Sequence, residues 1–190
     1  MIFITLFFVA PLCVSKVKLK QLIRYYNMTC NYEIDLMHPY DIADVLELER
    51  KAFGNMAWHS NDFESAISSS YDFPFVIHKR PLPDKESMDA YIDNVAGYGI
   101  LRLLGPEAEI ENICVSDSIR RKGIGKALMQ HMINVAQKNN ASTIYLEVRA
   151  ANDPAKSLYT KMGFESSYIR KGYYRDPLDD AIIMSLNLTQ

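Results

Sequence analysis

Apolar and polar positions change period several times along the chain, and each change marks an element. Tyr32 to Met37 is a short β-like run that stops at His38-Pro39. From Asp41 to Phe53, Ile42, Val45, Leu46 and Leu48/Glu49 approximate a 3.6-residue period, which predicts a helix capped by Asp41 and ended by Gly54. Ser60 or Asn61 is placed to cap a second helix through Ser68, with Phe63 and Ile67 on one side. Phe73 to His78 reads as a strand. Arg80 to Asp93, with its prolines and charges, reads as a loop at a hairpin tip. Val95 to Leu104 is a strongly apolar strand broken by Gly105-Pro106, and Ala108 to Val115 is another. A stripe of Ile124, Leu128, Met132 and Val135 then predicts an amphipathic helix over Gly125 to Asn139. Thr143 to Arg149 alternates, placing Ile144, Leu146 and Val148 on one face and Tyr145, Glu147 and Arg149 on the other. Asp153-Pro154 supplies a cap and first turn for a helix to Met162, which Gly163 terminates. Phe164 to Tyr168 and Ala181 to Asn187 would be the last two strands. The order predicts a mixed α/β (α+β) domain whose mostly antiparallel central sheet is flanked by helices.

Composition narrows what such a domain does. A chain of 190 residues, 48% hydrophobic, 23% charged and 11% aromatic, has the material for one well-filled core. Its net charge of −2, from 21 basic and 23 acidic residues, argues against a nucleic-acid partner. Cys13, Cys30 and Cys114 are odd in number and form no CxxC pair, which points to a reducing cytoplasm and away from a disulfide framework or a zinc site. The histidines show no metal-ligand spacing, so no metal is expected.

The first residues stand apart. Ile2 to Val14 is uncharged and apolar, and Lys16, Lys18, Lys20 and Arg24 follow it. A spanning helix needs about 20 apolar residues, and a secretory signal carries its charge before the apolar run. We therefore read residues 1–27 as an extension, with translation starting at Met28, and residues 28–190 as the functional domain; a membrane anchor is the rival reading. A chain beginning at Met28 is expected to be soluble and fully functional.

The sharpest local signal is Arg120-Arg121-Lys122-Gly123-Ile124-Gly125-Lys126-Ala127, between a strand and a helix. Glycines let the backbone approach a ligand closely, free N–H groups at a helix start favour an anion, and the basic side chains suit phosphate. It is neither a Walker A loop nor a GxGxxG dinucleotide fingerprint. Alone, such a turn is equally structural punctuation.

This turn resembles the acyl-CoA pyrophosphate loop of the GNAT superfamily. Tyr145-Leu-Glu-Val-Arg149, followed by Asn152, Ala155, Leu158, Tyr159 and Gly163-Phe164, is similar to a block of the RimI-type ribosomal-protein-alanine N-acetyltransferases. Arg170-Lys-Gly-Tyr-Tyr174 and Asp179-Asp-Ala-Ile-Ile-Met184 resemble further segments of that group, with Asp179 where the group has Glu. The resemblance implies a GNAT-like fold over roughly Tyr32 to Leu186. It also implies transfer of acetyl from acetyl-CoA to a protein α-amino group, with the N-terminal alanine of a small-subunit ribosomal protein as acceptor.

Each implied role stands beside a plainer one. Glu147 is an outward polar residue on an alternating strand; the resemblance makes it the general base. Tyr159 is a packed helix aromatic, or the group that protonates the departing thiolate. Asn152 is a turn residue, or a partner of the pantetheine arm. The backbone of Ile113, Cys114 and Val115 would pair with that arm and hold the thioester oxygen. Cys114 itself has no evident catalytic partner and reads as a core thiol. Trp58, Tyr173 and Tyr174 are half-buried aromatics, or residues of loops that frame the peptide entrance. The 80–93 segment lengthens a hairpin and bears on substrate access. Rival functions are a relaxed N-terminal or lysine acetyltransferase and a non-catalytic acyl-CoA-binding module; Glu147 and Tyr159 together speak against the second.

Overall fold

The computed structural model describes residues 32–79 and 95–188. The loop expected over 80–93 and the extension over 1–27 lie outside the described residues. Strands β1 (Tyr32–Leu36), β2 (Asp72–Lys79), β3 (Val95–Leu104), β4 (Glu107–Val115), β5 (Thr143–Arg149), β6 (Glu165–Arg175) and β7 (Leu178–Asn187) form one sheet in the order β1-β2-β3-β4-β5-β7-β6. Neighbours pair antiparallel except β4 and β5, which run parallel. Helices α1 (Ile42–Phe53), α2 (Ser60–Ser68), α3 (Ile124–Lys138) and α4 (Asp153–Lys161) complete the mixed α/β architecture expected from the sequence.

The sheet separates two cores. On one face, Ile124, Leu128, Met129, Met132 and Ile133 of α3 and Tyr159 of α4 pack on Phe75, Ile77, Leu101, Ile110, Ile144, Leu146 and Val148. On the other, Ile42 and Val45 of α1 and Phe63 and Ala66 of α2 pack on Val76, Tyr98, Ile100 and Cys114. Strand alternation assigns most of these residues to opposite faces; Ile110 and Cys114, of equal parity on β4, are separated by an irregularity in that strand.

The structure corrects several local expectations. Asp41 does not cap α1 with its side chain; it is buried and accepts the His38 N–H at 2.8 Å, closing a 3₁₀ turn over Pro39–Asp41. At α2, Asp62 accepts the His59 N–H at 2.7 Å, while the Ser60 hydroxyl donates to Glu64 at 2.8 Å. At α4 the cap is Asn152, whose Oδ1 accepts the Ala155 N–H at 3.2 Å; Asp153 lies inside the helix and pairs with Lys156. The last two strands extend well past the expected limits. Residues 169–175 carry too much charge to look like a strand, but β6 is a sheet edge and most of it is exposed. Its register slips between Arg170 and Tyr174, where Gly172 has φ +59 and gives its N–H to Asp180 at 2.8 Å. Tyr173 and Tyr174 thus belong to a strand, not to a loop.

Asp41 has a second partner. His78 Nε2 lies 2.9 Å from Asp41 Oδ1, and Nδ1 lies 3.9 Å from Asp35. The Asp35 and Asp41 carboxylates raise the His78 pKa against the opposing effect of burial. A folded-state pKa above the unfolded value means that this stabilisation is complete below about pH 6.5 and fades as pH rises through the folded pKa. Denaturant titrations should therefore show the stability gap between the wild type and His78→Gln shrinking from pH 6 to pH 9; a gap independent of pH would refute the assignment.

Candidate active site

The parallel pair at the centre of the sheet comes apart. Pairing between β4 and β5 runs only from Glu107↔Thr143 to Ile110↔Leu146, although β4 continues to Val115 and β5 to Arg149. The cause lies in β4. Ile100 of β3 faces Asn112 while Leu101 faces Ile110, so Glu111 is an extra residue, a β-bulge that bends the strand. The bulge also reverses the alternation: Ile110 belongs to the α3/α4 core, Asn112 and Cys114 to the α1/α2 side, and Ile113 and Val115 pack toward α3 and α4. Beyond Ile110 the β4 edge facing β5 has no strand beside it among the described residues.

The basic turn lies at the end of that open edge. A 3₁₀ turn over Asp117–Ile119 follows β4, and Arg121 (φ 65) and Gly123 (φ 81) then reverse the chain in left-handed conformations. Helix α3 starts at Ile124, and its first intrahelical bond runs from the Ala127 N–H to the Gly123 carbonyl at 3.0 Å. The N–H groups of Ile124, Gly125 and Lys126 precede that bond and so have no carbonyl of the helix to donate to. Arg121, Lys122, Lys126 and Ala127 are exposed beside it, whereas Ile124 is buried in the core. Arg120 is exposed too, but pairs with Asp117 at 2.8 Å.

Glu147 faces the opposite direction from Val148, on the α1/α2 side of β5. Its Oε2 accepts from Arg170 Nη1 at 2.9 Å and its Oε1 from the Tyr174 hydroxyl at 3.3 Å. The side chain is 22% exposed, so it is reached by solvent and held by donors rather than shut in an apolar pocket. Arg149 extends the cluster: its guanidinium lies 3.9 Å from the Tyr174 ring centroid and donates to the carbonyls of Asp176 and Pro177, both at 3.1 Å. The Tyr173 ring meets Tyr174 edge-on at 5.1 Å. Burial, then the Glu147 charge, raises the Tyr174 pKa.

Tyr159 lies on the other side of the sheet, on α4, buried against the α3/α4 core. Burial pushes its pKa up to about 12, so the phenol is protonated at any working pH. Glu147 and Tyr159 therefore lie on opposite faces of the sheet. Asn152 starts α4 with its Oδ1 committed to the cap, which leaves its amide N–H groups as its remaining donors. Cys114 points into the α1/α2 core as a free thiol whose pKa burial pushes up to about 12, the chemistry of packing and not of a nucleophile.

Trp58 is half-buried beside α2, its ring 5.3 Å from Phe63, and its backbone N–H donates to Glu49 Oε1 at 2.8 Å. Glu49 is a residue that the sequence pattern passed over. Its carboxylate also accepts from Asn112 Nδ2 at 3.2 Å and from the Tyr98 hydroxyl. The signal was present, since Glu49 falls on the apolar stripe of α1, where a charge is out of place. Arg170 and Arg149 left no such signal, because their partners are far away in sequence.

The profile of the acetyltransferase (GNAT) family matches residues 43–164. The [ribosomal protein bS18]-alanine N-acetyltransferase of Escherichia coli strain K12 is 39% identical over 97 residues, covering 50% of this chain and 66% of that enzyme. The match thus spans just under two thirds of that relative. The enzyme of the same name from Salmonella typhimurium is 36% identical over 99 residues, covering 51% of this chain and 67% of its own. The crystal structure of the ribosomal-protein-S18-alanine N-acetyltransferase from Escherichia coli superposes with a TM-score of 0.71 at 28% identity, over 84% of this chain and 95% of that one.

Proposed function

Because the chain belongs to the acetyltransferase (GNAT) family, we propose that it moves acetyl from acetyl-CoA to the α-amino group of a protein N-terminus. The observation that carries the proposal is the β4 edge left unpaired past Ile110 among the described residues, with a basic helix start at its end and Glu147 one residue past the last β5 position paired with β4. The residues suit acetyl-CoA: a Cβ at Gly123 would meet nothing within 4 Å, so the turn is open to a bulky anion. Pyrophosphate would take the N–H groups before Ala127 together with the charges of Arg120, Arg121, Lys122 and Lys126. The pantetheine arm would lie along Ile113 to Val115 like an added strand, with Asn152 at its flank.

In this mechanism the amine nitrogen attacks the thioester carbon, forming the C–N bond, and an N–H of the β4 edge stabilises the developing oxyanion. Glu147 takes the ammonium proton, directly or through one water. Its two donors use one lone-pair direction on each oxygen and leave the others available. The C–S bond then breaks and the electron pair leaves on sulfur. Tyr159 meets that charge. Burial keeps its phenol protonated, so it has a proton to offer the sulfur. Its contribution is therefore a hydrogen bond that strengthens as the charge forms. Tyr159→Phe should lower kcat by about 10²-fold at every pH between 6 and 9; full activity in this variant would refute the role.

An α-amine has pKa about 7.7–8.0 against about 10.4 for lysine, so a larger share is neutral and nucleophilic at pH 7. The bS18-specific relatives support the N-terminal alanine of a small-subunit ribosomal protein as acceptor, and with it a cytoplasmic place of action. Among the described residues no helix is long and apolar enough to cross a membrane. The test is the intact mass of such a protein, and of peptides with other first residues or a blocked N-terminus and free lysines, after incubation with acetyl-CoA. Acetylation confined to a free N-terminal alanine supports the proposal; acetylation of the blocked peptides points to lysine.

A further inference from the structure

Glu49 is 1% exposed, yet among the described residues the three donors that reach its carboxylate are all neutral: the Trp58 backbone N–H, the Asn112 amide and the Tyr98 hydroxyl. Burial raises its pKa, and the bonds from Trp58 and Asn112 oppose that rise. A buried carboxylate without a cation is a costly way to fill space, and an apolar side chain would suit the α1 stripe better. What the carboxylate does and an apolar residue cannot do is fix three separate elements at one point. Tyr98 belongs to β3. Asn112 is the first residue after the β4 bulge and precedes Ile113 on the open edge. Trp58 follows a 3₁₀ turn over Gly54–Met56, and Asn55 in that turn donates to Asp176 at 3.1 Å, at the tip of the β6–β7 hairpin. The 54–58 segment is thus held at one end by the hairpin that carries Tyr173 and Tyr174 and at the other by Glu49.

We propose that Glu49 is a positioning residue of the acceptor site, tying the Trp58 segment to the β4 edge so that the acceptor wall stands at a fixed distance from the acyl group. The kinetic part rests on the proposed acetyltransferase activity; the structural part does not. Trp58 is the only tryptophan of the chain, so its fluorescence reports on the segment directly.

In Glu49→Met the side chain keeps its reach but offers no carboxylate oxygen, so the bonds to Trp58, Asn112 and Tyr98 are lost together. The measurements are Trp58 emission and acrylamide quenching, acetyl-CoA affinity by calorimetry, and the KM and kcat for the acceptor peptide. We expect red-shifted emission, quenching raised about twofold and acceptor KM raised about tenfold, as for the loss of a bond to a charged group. Acetyl-CoA affinity should stay within about twofold. Unchanged emission and unchanged KM in the folded variant would overturn the proposal, as would equal losses in acetyl-CoA affinity and acceptor KM, the mark of general loosening. Should Glu49→Met fail to fold, Tyr98→Phe decides: it removes one hydroxyl, keeps the ring against Phe63, and is expected to shift emission and KM in the same direction by about threefold; no shift overturns the proposal. If the wild type acetylates no peptide amine, the proposed function fails, while the fluorescence comparison, which needs no substrate, still decides whether Glu49 holds the segment.

Discussion

Replacing Glu147 by Gln is expected to lower kcat by about 10²–10⁴-fold at neutral pH, the usual worth of general acid–base assistance, with acetyl-CoA affinity unchanged. The substitution keeps shape and removes the proton acceptor. It also leaves Arg170 without its carboxylate, but that pair is partly exposed, and such pairs contribute about 0–1 kcal/mol, so the fold should persist. Raising the pH should restore part of the rate, because the acceptor amine then loses its proton to solvent. Tyr159→Phe should show no such recovery, since its deficit lies at the leaving sulfur. The pH–rate profiles of the two variants side by side are the check. A Glu147→Gln enzyme with wild-type kcat across the range would place the base elsewhere.

The second large effect is expected at the phosphate turn. Gly125→Val should weaken CoA binding by about 100-fold, the equivalent of losing two hydrogen bonds to a charged group. A Cβ at Gly125 meets only Leu158 and Val115, both at 3.7 Å, so the protein tolerates the first added carbon. The further methyl groups of valine stand over the N–H groups of the first turn of α3, where phosphate must come close. Gly123→Ala separates the two uses of glycine: its Cβ meets nothing within 4 Å, but φ is +81, a conformation that costs a side chain about 1–2 kcal/mol. That variant should lose stability more than affinity. Calorimetry with CoA and a thermal melt on each variant decide the matter, and a folded Gly125→Val protein that binds CoA like the wild type would refute the site.

The order of elements was legible because it depends on local pattern. The alternation of Thr143–Arg149 placed Glu147 opposite Val148, and the structure has both there. The stripe on α3 and the basic glycine turn before it were likewise visible, since a helix start and its spare N–H groups need no distant partner. Caps were harder to read. The expected Asp41 cap instead bonds back to His38, Asp62 rather than Ser60 or Asn61 closes the start of α2, and Asn152 rather than Asp153 caps α4.

The sequence by itself determined the alternation, the stripes and the turn, each an interaction between residues a few positions apart. Tertiary structure alone decided the rest. The exposed strand β6 takes its form from pairing with β7, because its own residues carry no apolar alternation. The gap between β4 and β5 comes from one inserted residue, Glu111, whose effect appears only against the register of β3. The partners of Glu147 and Glu49 come from positions 23 to 63 residues away in the chain, apart from the Trp58 N–H nine residues on. A carboxylate does not select its donors by sequence distance; it takes those that the packed sheet and helices bring within reach, and that reach is set by the whole fold.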